Sequence, residues 1–162
     1  MADITTRSIL SALKNDYPEL KFEVGDRHYW SPSLKTIFYT LPTTADSFCG
    51  DLSNDLLLIH ELAHATLDHI NYNQDIDLLK MERDAWEKTI SLAKRYGVGV
   101  DEEVVNQALN SYRDWLHSRS ICPSCDAIGH ETREKTYQCI ACGTKWRPNE
   151  ARTCGLKRYK TK

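Results

Sequence analysis

The sequence predicts an α+β protein in which a domain of helices and a small sheet precedes a short cysteine-rich module. The first observation is the order of the predicted elements, in which short β-type runs follow one helical segment and precede three others. The second is that the last forty or so residues show no helical periodicity and are rich in cysteine pairs, turn formers and basic residues. The chain has 162 residues, of which 41% are hydrophobic and 27% are charged. This length and composition allow one ordinary domain with a small appendage, and they exclude a large multidomain enzyme and a disordered chain.

The N-terminal third predicts one helix and three strands. A helix is expected over 5–16, because apolar residues recur there at helical spacing behind threonines that can cap its start. Three β-type runs separated by turn formers predict a small antiparallel sheet over 21–24, 28–30 and 36–40. Residues 41–54 are rich in turn formers and predict a surface loop.

Three further helices and a change of composition complete the predicted organisation. Apolar periodicity and glycine or acidic end signals place the helices at about 55–70, 76–96 and 102–118. Cysteines, turns and basic residues begin at about 121, so we expect a first domain over 1–119 and a second over 120–162.

The charge is divided unevenly between the two predicted domains. Residues 121–162 contain nine Lys/Arg and four Asp/Glu, which gives +5, and the rest of the chain carries −7. No segment approaches the roughly 20 apolar residues of a membrane helix, and the first residues lack the order of an export signal. We therefore expect a cytoplasmic protein with no membrane partner.

The first chemical motif is His60-Glu61-Leu62-Ala63-His64. Two histidines at positions i and i+4 of a helix lie one turn apart on the same side, so both imidazoles can bind one zinc ion. Glu61 then lies close enough to contact a water molecule at the zinc, which is the place of a general base. The alternative is an ordinary helix on which these polar residues are exposed and bind no metal.

A catalytic zinc needs a third protein ligand, and Glu82 is the candidate. It is the charged member of an apolar stripe in the next helix, and burying a carboxylate is costly unless the carboxylate is paired or coordinated. The alternatives are a buried salt bridge to Arg83 or Arg95, or a stripe rotated so that Glu82 reaches solvent. The predicted stripe consists of Leu79, Glu82, Trp86, Ile90 and Ala93.

His69 is the rival third ligand, five residues after His64. In a straight helix it points away from His60, and no glycine at 65–68 supplies the turn that would bring it back. We therefore do not expect it to bind the metal. It is instead a candidate to cap the helix end or, with Tyr72, to line the cleft and stabilise the transition-state oxyanion.

These residues carry a resemblance to a known family. The segment from His60 to Ala65, followed by Glu82-Arg83-Asp84-Ala85-Trp86, resembles the ImmA/IrrE metallopeptidases, which have HExxH and a downstream ExxA motif. The resemblance spans roughly 28–96. It implies a cytoplasmic, zincin-like metallopeptidase with zinc on His60, His64 and Glu82, and with Glu61 as the base. Several members of the family cleave or inactivate repressors. This chain departs from the family in its cysteine-rich tail and in lacking an obvious helix-turn-helix.

The second chemical motif is a pair of Cys-x-x-Cys sequences, Cys122/Cys125 and Cys139/Cys142, separated by 13 residues. Each short turn directs two thiolates to one point, and four thiolates form a closed, structural zinc site. Tyr137-Gln138 and Thr144-Lys145-Trp146 flank the second pair as the strands of a zinc ribbon do. A redox dithiol would need only one such pair. We therefore expect two zinc ions per chain, one catalytic and one structural.

The tail also mixes basic and aromatic residues, and two cysteines remain unassigned. Basic and aromatic side chains together can bind a phosphate backbone and stack on bases, whereas the alternative is a solvated face or one that docks on a protein. Cys49 and Cys154 are expected to be buried free thiols, Cys154 against the ribbon, and contact of Cys49 with the catalytic zinc is the alternative. The residues of the mixed surface are Arg133, Lys135, Tyr137, Lys145, Trp146, Arg147, Arg152, Lys157, Arg158, Tyr159 and Lys160.

The sequence as a whole predicts a zinc-dependent endopeptidase that acts on a cytoplasmic protein, for example a regulator, with the ribbon as a targeting module. The sheet edge near Thr36–Thr40 would hold an extended substrate. One alternative is a protease acting on DNA-bound proteins, similar to the SprT/Spartan family. That family has its third ligand histidine in a later histidine-glycine motif, which this chain lacks, so His117 is the later histidine to compare with Glu82. The other is a non-enzymatic regulator in which zinc is structural and the ribbon binds nucleic acid or protein.

Overall fold

The computed structural model describes residues 4–41, 52–133, 135–151 and 154–162, with side chains from residue 9 onward. The chain forms two compact units, and a helix passes without interruption from the second into the first at Glu82 and Arg83. The first unit comprises Met1–Ile70 and Arg83–Val105, and the second comprises Asn71–Glu82 and Asn106–Lys162. No helix in the described part of the chain has the length and apolar character needed to cross a membrane.

The architecture is α+β, as predicted, with four helices and two small sheets among the described residues. The helices are α1 (Ile4–Asp16), α2 (Asn54–Thr66), α3 (Asp75–Tyr96) and α4 (Glu102–Ser120). The strands are β1 (Lys21–Val24), β2 (Tyr29–Ser31), β3 (Thr36–Tyr39), β4 (Gly129–Arg133), β5 (Thr136–Cys139), β6 (Lys145–Pro148) and β7 (Arg158–Thr161).

The sheet of the first unit is mixed, and the prediction of an antiparallel sheet is wrong for β1. Strand β3 lies between the other two, antiparallel to β2 and parallel to β1. The turn before β3 places Lys35 in the left-handed region, at φ 48°, and returns the chain beside β2. Since both sides of β3 are paired, the predicted substrate edge near Thr36–Thr40 is not an edge of this sheet. The outer strands are β1 and β2.

Helix α2 ends at Thr66, four residues before its predicted end. Leu67 caps it, and Asp68 adopts a left-handed conformation at φ 53°. For a helix over 55–70 the sequence predicts an apolar stripe of Leu56, Ile59, Ala63, Leu67 and Ile70. Leu67 and Ile70 instead lie outside the helix and are 37% and 59% exposed. Within α2 the stripe is buried as expected, because leucines on adjoining positions widen the apolar face.

Helix α3 buries a slightly different stripe from the predicted one. Ile90 is 42% exposed, whereas Thr89, one position earlier, is fully buried. Glu82 stays inside the stripe and is 6% exposed, so the rotation does not carry it to solvent. The buried residues of α3 are Asp75, Leu78, Glu82, Ala85, Trp86, Thr89, Leu92 and Ala93.

The second unit contains a four-stranded antiparallel sheet in the order β4-β5-β6-β7. The strands predicted on either side of the second cysteine pair are confirmed as β5 and β6. Tyr137 and Trp146 stack in the core beside two cysteines, with ring centroids 5.7 Å apart, so the prediction that they belong to the mixed basic and aromatic surface is wrong. Any side chain at Gly129 would collide with the Trp146 ring and the Gln138 carbonyl, so this position needs glycine.

A buried ion pair joins the helices of the second unit to this sheet. Asp75 and Arg119 are both 0% exposed, and their side chains meet at 2.6 Å. The Tyr137 hydroxyl also donates to Asp75, at 2.5 Å, while Arg119 donates to the Asn149 carbonyl. Glu131 accepts the Asp75 backbone N–H at 2.7 Å and so caps the start of α3. The compact second unit thus includes parts of α3 and α4. The domain boundary predicted from the change in amino-acid composition lies later, near residues 119–121.

Candidate metal centre

The two histidines of the HExxH motif face each other on α2. Their Nε2 atoms are 3.2 Å apart, and the side chains are nearly buried, His60 at 7% and His64 at 9% exposed. One donor atom from each histidine and one carboxylate oxygen of Glu82 all lie within 4.8 Å of one another. The spacing of one helical turn, which the sequence predicts, is what brings the imidazoles together.

Helix α3 fixes the position of Glu82 through residues that contact His60. The Trp86 ring stacks on the His60 ring, with centroids 4.1 Å apart. Thr89 Oγ1 lies 3.2 Å from His60 Nδ1. Glu82, Trp86 and Thr89 occupy one face of the same unbroken helix, at steps of four and three residues. The contacts that hold Trp86 and Thr89 against α2 therefore also direct the Glu82 carboxylate.

Thr89 determines which nitrogen of His60 is available to a metal. The Thr89 hydroxyl donates its proton to the Ala85 carbonyl at 2.7 Å. It must therefore accept from His60, which places the His60 proton on Nδ1 and leaves the Nε2 lone pair directed at His64. This is the arrangement that outer hydrogen-bond partners impose on metal-binding histidines. The sequence motif does not identify Thr89, which lies 29 residues from His60.

His69 performs the same task for His64. The early end of α2 and the left-handed Asp68 turn the chain so that His69 N–H donates to the His64 carbonyl at 3.1 Å. The two Nδ1 atoms are 2.9 Å apart, so a proton shared between them leaves His64 Nε2 facing His60. No glycine is needed for this turn, because aspartate also tolerates a left-handed backbone. Contact with a ligand rather than with the metal is consistent with the expectation that His69 is not itself a ligand.

The Glu61 carboxylate is held by strand β2. Glu61 Oε2 accepts the backbone N–H of Trp30 at 2.7 Å. The Trp30 indole N–H donates to the His69 carbonyl at 3.1 Å. Trp30 thus donates hydrogen bonds both to Glu61, the predicted base, and to His69, the residue that orients His64. Sequence reasoning missed Trp30, because a backbone donor 31 residues away leaves no mark in the motif.

The first donor group has the dimensions of a zinc site. Ligand nitrogens at ~2.0–2.1 Å from a tetrahedral zinc are about 3.3 Å from each other, and the two Nε2 atoms are 3.2 Å apart. Two imidazoles and one carboxylate are donor types that zinc binds. The alternative salt-bridge partners of Glu82 are engaged elsewhere: Arg83 pairs with Asp84 at 2.7 Å and Arg95 with Asp16 at 2.9 Å.

The four cysteines form the second donor group. Their sulfur atoms approach to 3.6 Å between Cys122 and Cys142, 3.6 Å between Cys125 and Cys139, and 3.5 Å between Cys125 and Cys142. Sulfurs at ~2.3 Å from a tetrahedral zinc would lie about 3.8 Å apart, so the cluster has the right size for one ion. All four positions are thiols, and four cysteines are the donor set typical of a closed structural zinc site.

The two cysteine turns have nearly the same geometry. The first cysteine of each pair donates its backbone N–H five residues ahead, to Ala127 and to Thr144, at 2.8 Å in both cases. Left-handed residues, Asp126 at φ 60° and Gly143 at φ 74°, close the two turns. Hydrogen bonds from the side chain and backbone of Thr144 lower the pKa of Cys142 to about 6. This thiol is therefore ready to ionise near neutral pH and to bind a metal.

The remaining predicted residues lie outside the two donor groups. Tyr72 belongs to the second unit, where the Lys135 ammonium lies 5.6 Å from its ring centroid, and its role at the oxyanion stays a prediction. His117 is exposed on α4 and is not part of the His/Glu group. Cys154 is an exposed free thiol, so the prediction that it is buried is wrong. Cys49 and Arg152 lie outside the described residues.

The sequence matches no protein-family model, and no similar protein was found among curated sequences or solved structures. The two donor groups are therefore characterised by their own geometry.

Proposed function

We propose that this chain is a zinc-dependent endopeptidase of the cytoplasm. The observation that carries the proposal is the convergence of His60, His64 and Glu82, with Glu61 next to His60 on the same helix. When bound to these three residues, zinc supplies Lewis acidity and lowers the pKa of a water molecule in the open coordination position. Four free thiols gathered in one cluster suit a reducing compartment, which favours the cytoplasm.

The residues around the donor group would perform the proton transfers of peptide hydrolysis. Thr89 and His69 keep the Nδ1 positions of the two histidines in hydrogen bonds, so their Nε2 lone pairs stay directed to one point. Glu61 would take the proton of the attacking water and deliver it to the leaving amine nitrogen. The Trp30 N–H orients Glu61 Oε2 without being consumed in these steps.

An extended peptide is the substrate that this arrangement suits. Strand β2 is an outer strand of its sheet, and the Trp30 N–H reaches Glu61 from this strand. A peptide that lay along β2 would pass beside the base without using the Trp30 N–H, which Glu61 already accepts. This moves the proposed substrate edge from residues 36–40 to β2.

Replacing Glu61 by glutamine tests the mechanism. Glutamine keeps the size of the side chain but cannot accept the proton, so we expect Glu61→Gln to keep both zinc ions and to lose about 100-fold or more of its activity. The assay is cleavage of a library of fluorescence-quenched peptides by the zinc-loaded chain. Glu87→Gln, an exposed glutamate of α3, is the matched control. Full cleavage by Glu61→Gln would rule out the proposed base.

The third ligand separates this proposal from a protease of the SprT/Spartan kind. The donor group contains Glu82 and does not contain His117, which favours the glutamate. We expect Glu82→Ala to lose one zinc ion and His117→Ala to keep both, as measured by metal analysis. The opposite pattern would favour the SprT/Spartan alternative. Normal zinc content without any cleavage would favour the non-enzymatic regulator.

A further inference from the structure

The second unit presents one exposed sheet face that is rich in basic and polar side chains. Residues directly opposite each other on antiparallel strands project to the same side of a sheet. Tyr137 pairs with Trp146, and both are buried, which identifies the inner face. The neighbouring pairs therefore project outward. They are His130 with Gln138, Gln138 with Lys145, Lys145 with Thr161, and Arg147 with Tyr159.

This outer face, defined by the six residues of those pairs, carries positive charge and no acidic side chain within the four described strands. Lys145 and Arg147 alternate along β6 and are both exposed, with the buried Trp146 between them. Arg133 lies opposite Thr136 at the end of β4 and is also exposed. The acidic residue of β4, Glu131, is paired with Tyr137 and belongs to the inner face. The outer face therefore complements an anionic partner.

An exposed aromatic ring lies within the basic surface. Tyr159 is 56% exposed and is directly opposite Arg147 on the neighbouring strand. The ring is therefore accessible to a flat partner, and burying it against that partner would be favourable. Bases stack on such rings, and lysine and arginine beside them bind the phosphates that join the bases. Gln138 and Thr161 add hydrogen-bonding groups on the same face.

We propose that the outer face binds single-stranded nucleic acid, through phosphate contacts to Lys145 and Arg147 and base stacking on Tyr159. A single strand is the partner because its bases are free to turn toward the sheet, whereas the bases of a duplex are stacked inside it. Single-stranded DNA and RNA share this chemistry. The proposal uses only the ribbon and is independent of the proposed peptidase activity.

The test is binding of fluorescently labelled oligonucleotides to the zinc-loaded full chain, measured by anisotropy. Strands of about 12 nucleotides, one of deoxyuridine and one of uridine, match the length that a small stacking module covers. We expect Tyr159→Ala to weaken binding about 5- to 100-fold and Tyr159→Phe to retain it, because the stacking ring is kept. Removing both cations in Lys145→Ala/Arg147→Ala should reduce the slope of log affinity against log salt by about 1.4.

Lys160→Ala is the matched control, because Lys160 follows Tyr159 in the same strand but pairs with Trp146 on the inner face. The Lys160→Ala variant should keep the part of the binding affinity that comes from base stacking on Tyr159. Zinc content shows that each variant retains the folded ribbon. Tighter binding of uridine than of a matched deoxyuridine strand would identify RNA as the partner through its 2′-hydroxyls, and the reverse would identify DNA. The proposal is overturned if Tyr159→Ala binds like the wild type, if Lys160→Ala loses as much as Tyr159→Ala, or if a duplex binds more tightly than either single strand.

Discussion

At the scale of single residues, the two histidines of the His/Glu donor group are oriented by partners outside that group. Thr89 accepts a hydrogen bond from His60 and donates one to the Ala85 carbonyl, and the two bonds together fix the orientation of its hydroxyl group. His69 is tied in turn by the Trp30 indole. Such outer contacts fix the ring orientation and raise the basicity of the ligand nitrogen. The sequence motif names the ligands, but the affinity of the site depends on these partners as well.

Truncating His69 should therefore weaken zinc binding without removing a ligand. We expect His69→Ala to lower the affinity of the His/Glu site about 10- to 100-fold, measured by competition with a chromogenic chelator. His69→Gln, which keeps a hydrogen-bonding group, should recover part of the loss. His117→Ala serves as the control, since that histidine is exposed on α4. Equal affinity in His69→Ala and the wild type would show that the His64 to His69 contact does not orient the ligand.

The ribbon thiols offer a prediction about pH. Because Thr144 lowers the pKa of Cys142 from its ordinary value of 9.0 to about 6, the stabilisation from its ionised form is fully present above pH 9 and is lost as pH falls through 6. Thr144→Val removes the hydroxyl and should raise that pKa. Zinc release on acidification, followed with a zinc-sensitive dye, should then begin at a higher pH. Thr161→Val, an exposed threonine of β7, should leave the release curve unchanged.

At the scale of elements, the sequence predicts what depends on local spacing. The existence of α1 to α4, the pairing of His60 with His64, and the two cysteine turns all follow from residues a few positions apart. The parallel pairing of β1 with β3 does not, because strand partners and their direction are chosen by packing across the chain. The sequence does not predict the early end of α2 either. The left-handed conformation that follows the helix is adopted by Asp68, whereas glycine is the residue that usually indicates it.

Helix α3 depends at its start on a buried charge, which leads to a prediction about stability. Asp75→Asn keeps the shape of the side chain but leaves the buried Arg119 without its counter-charge, so we expect the free energy of unfolding to fall by about 3–5 kcal/mol. Urea denaturation measures the change. Glu150→Gln removes an ion pair whose glutamate is 69% exposed, and it should cost less than about 1 kcal/mol. Similar losses in both variants would show that the Asp75 to Arg119 pair contributes no more than a surface pair.

At the scale of the whole molecule, the two donor groups are separate. They share no residue, and each contains enough donor atoms to bind a metal ion without the other group. The His/Glu group combines nitrogen and oxygen donors, and the cysteine group consists of four thiols. The proposed function assigns the reaction to the first group and the stabilisation of the cysteine module to the second, since the few buried residues of that module cannot by themselves make a sizeable core.

The number of zinc ions per chain tests this division. We expect two ions in the wild type and one each in His60→Ala and Cys122→Ser, because each substitution removes a donor from only one group. Metal analysis by mass spectrometry of the purified chain gives the count, and Cys154→Ser, which replaces an exposed thiol outside both groups, should retain two. Removing the ribbon zinc should also unfold its sheet, since metal binding supplies folding free energy in modules of this size. If Cys122→Ser kept both ions, or if His60→Ala lost both, the two groups would not be separate zinc sites.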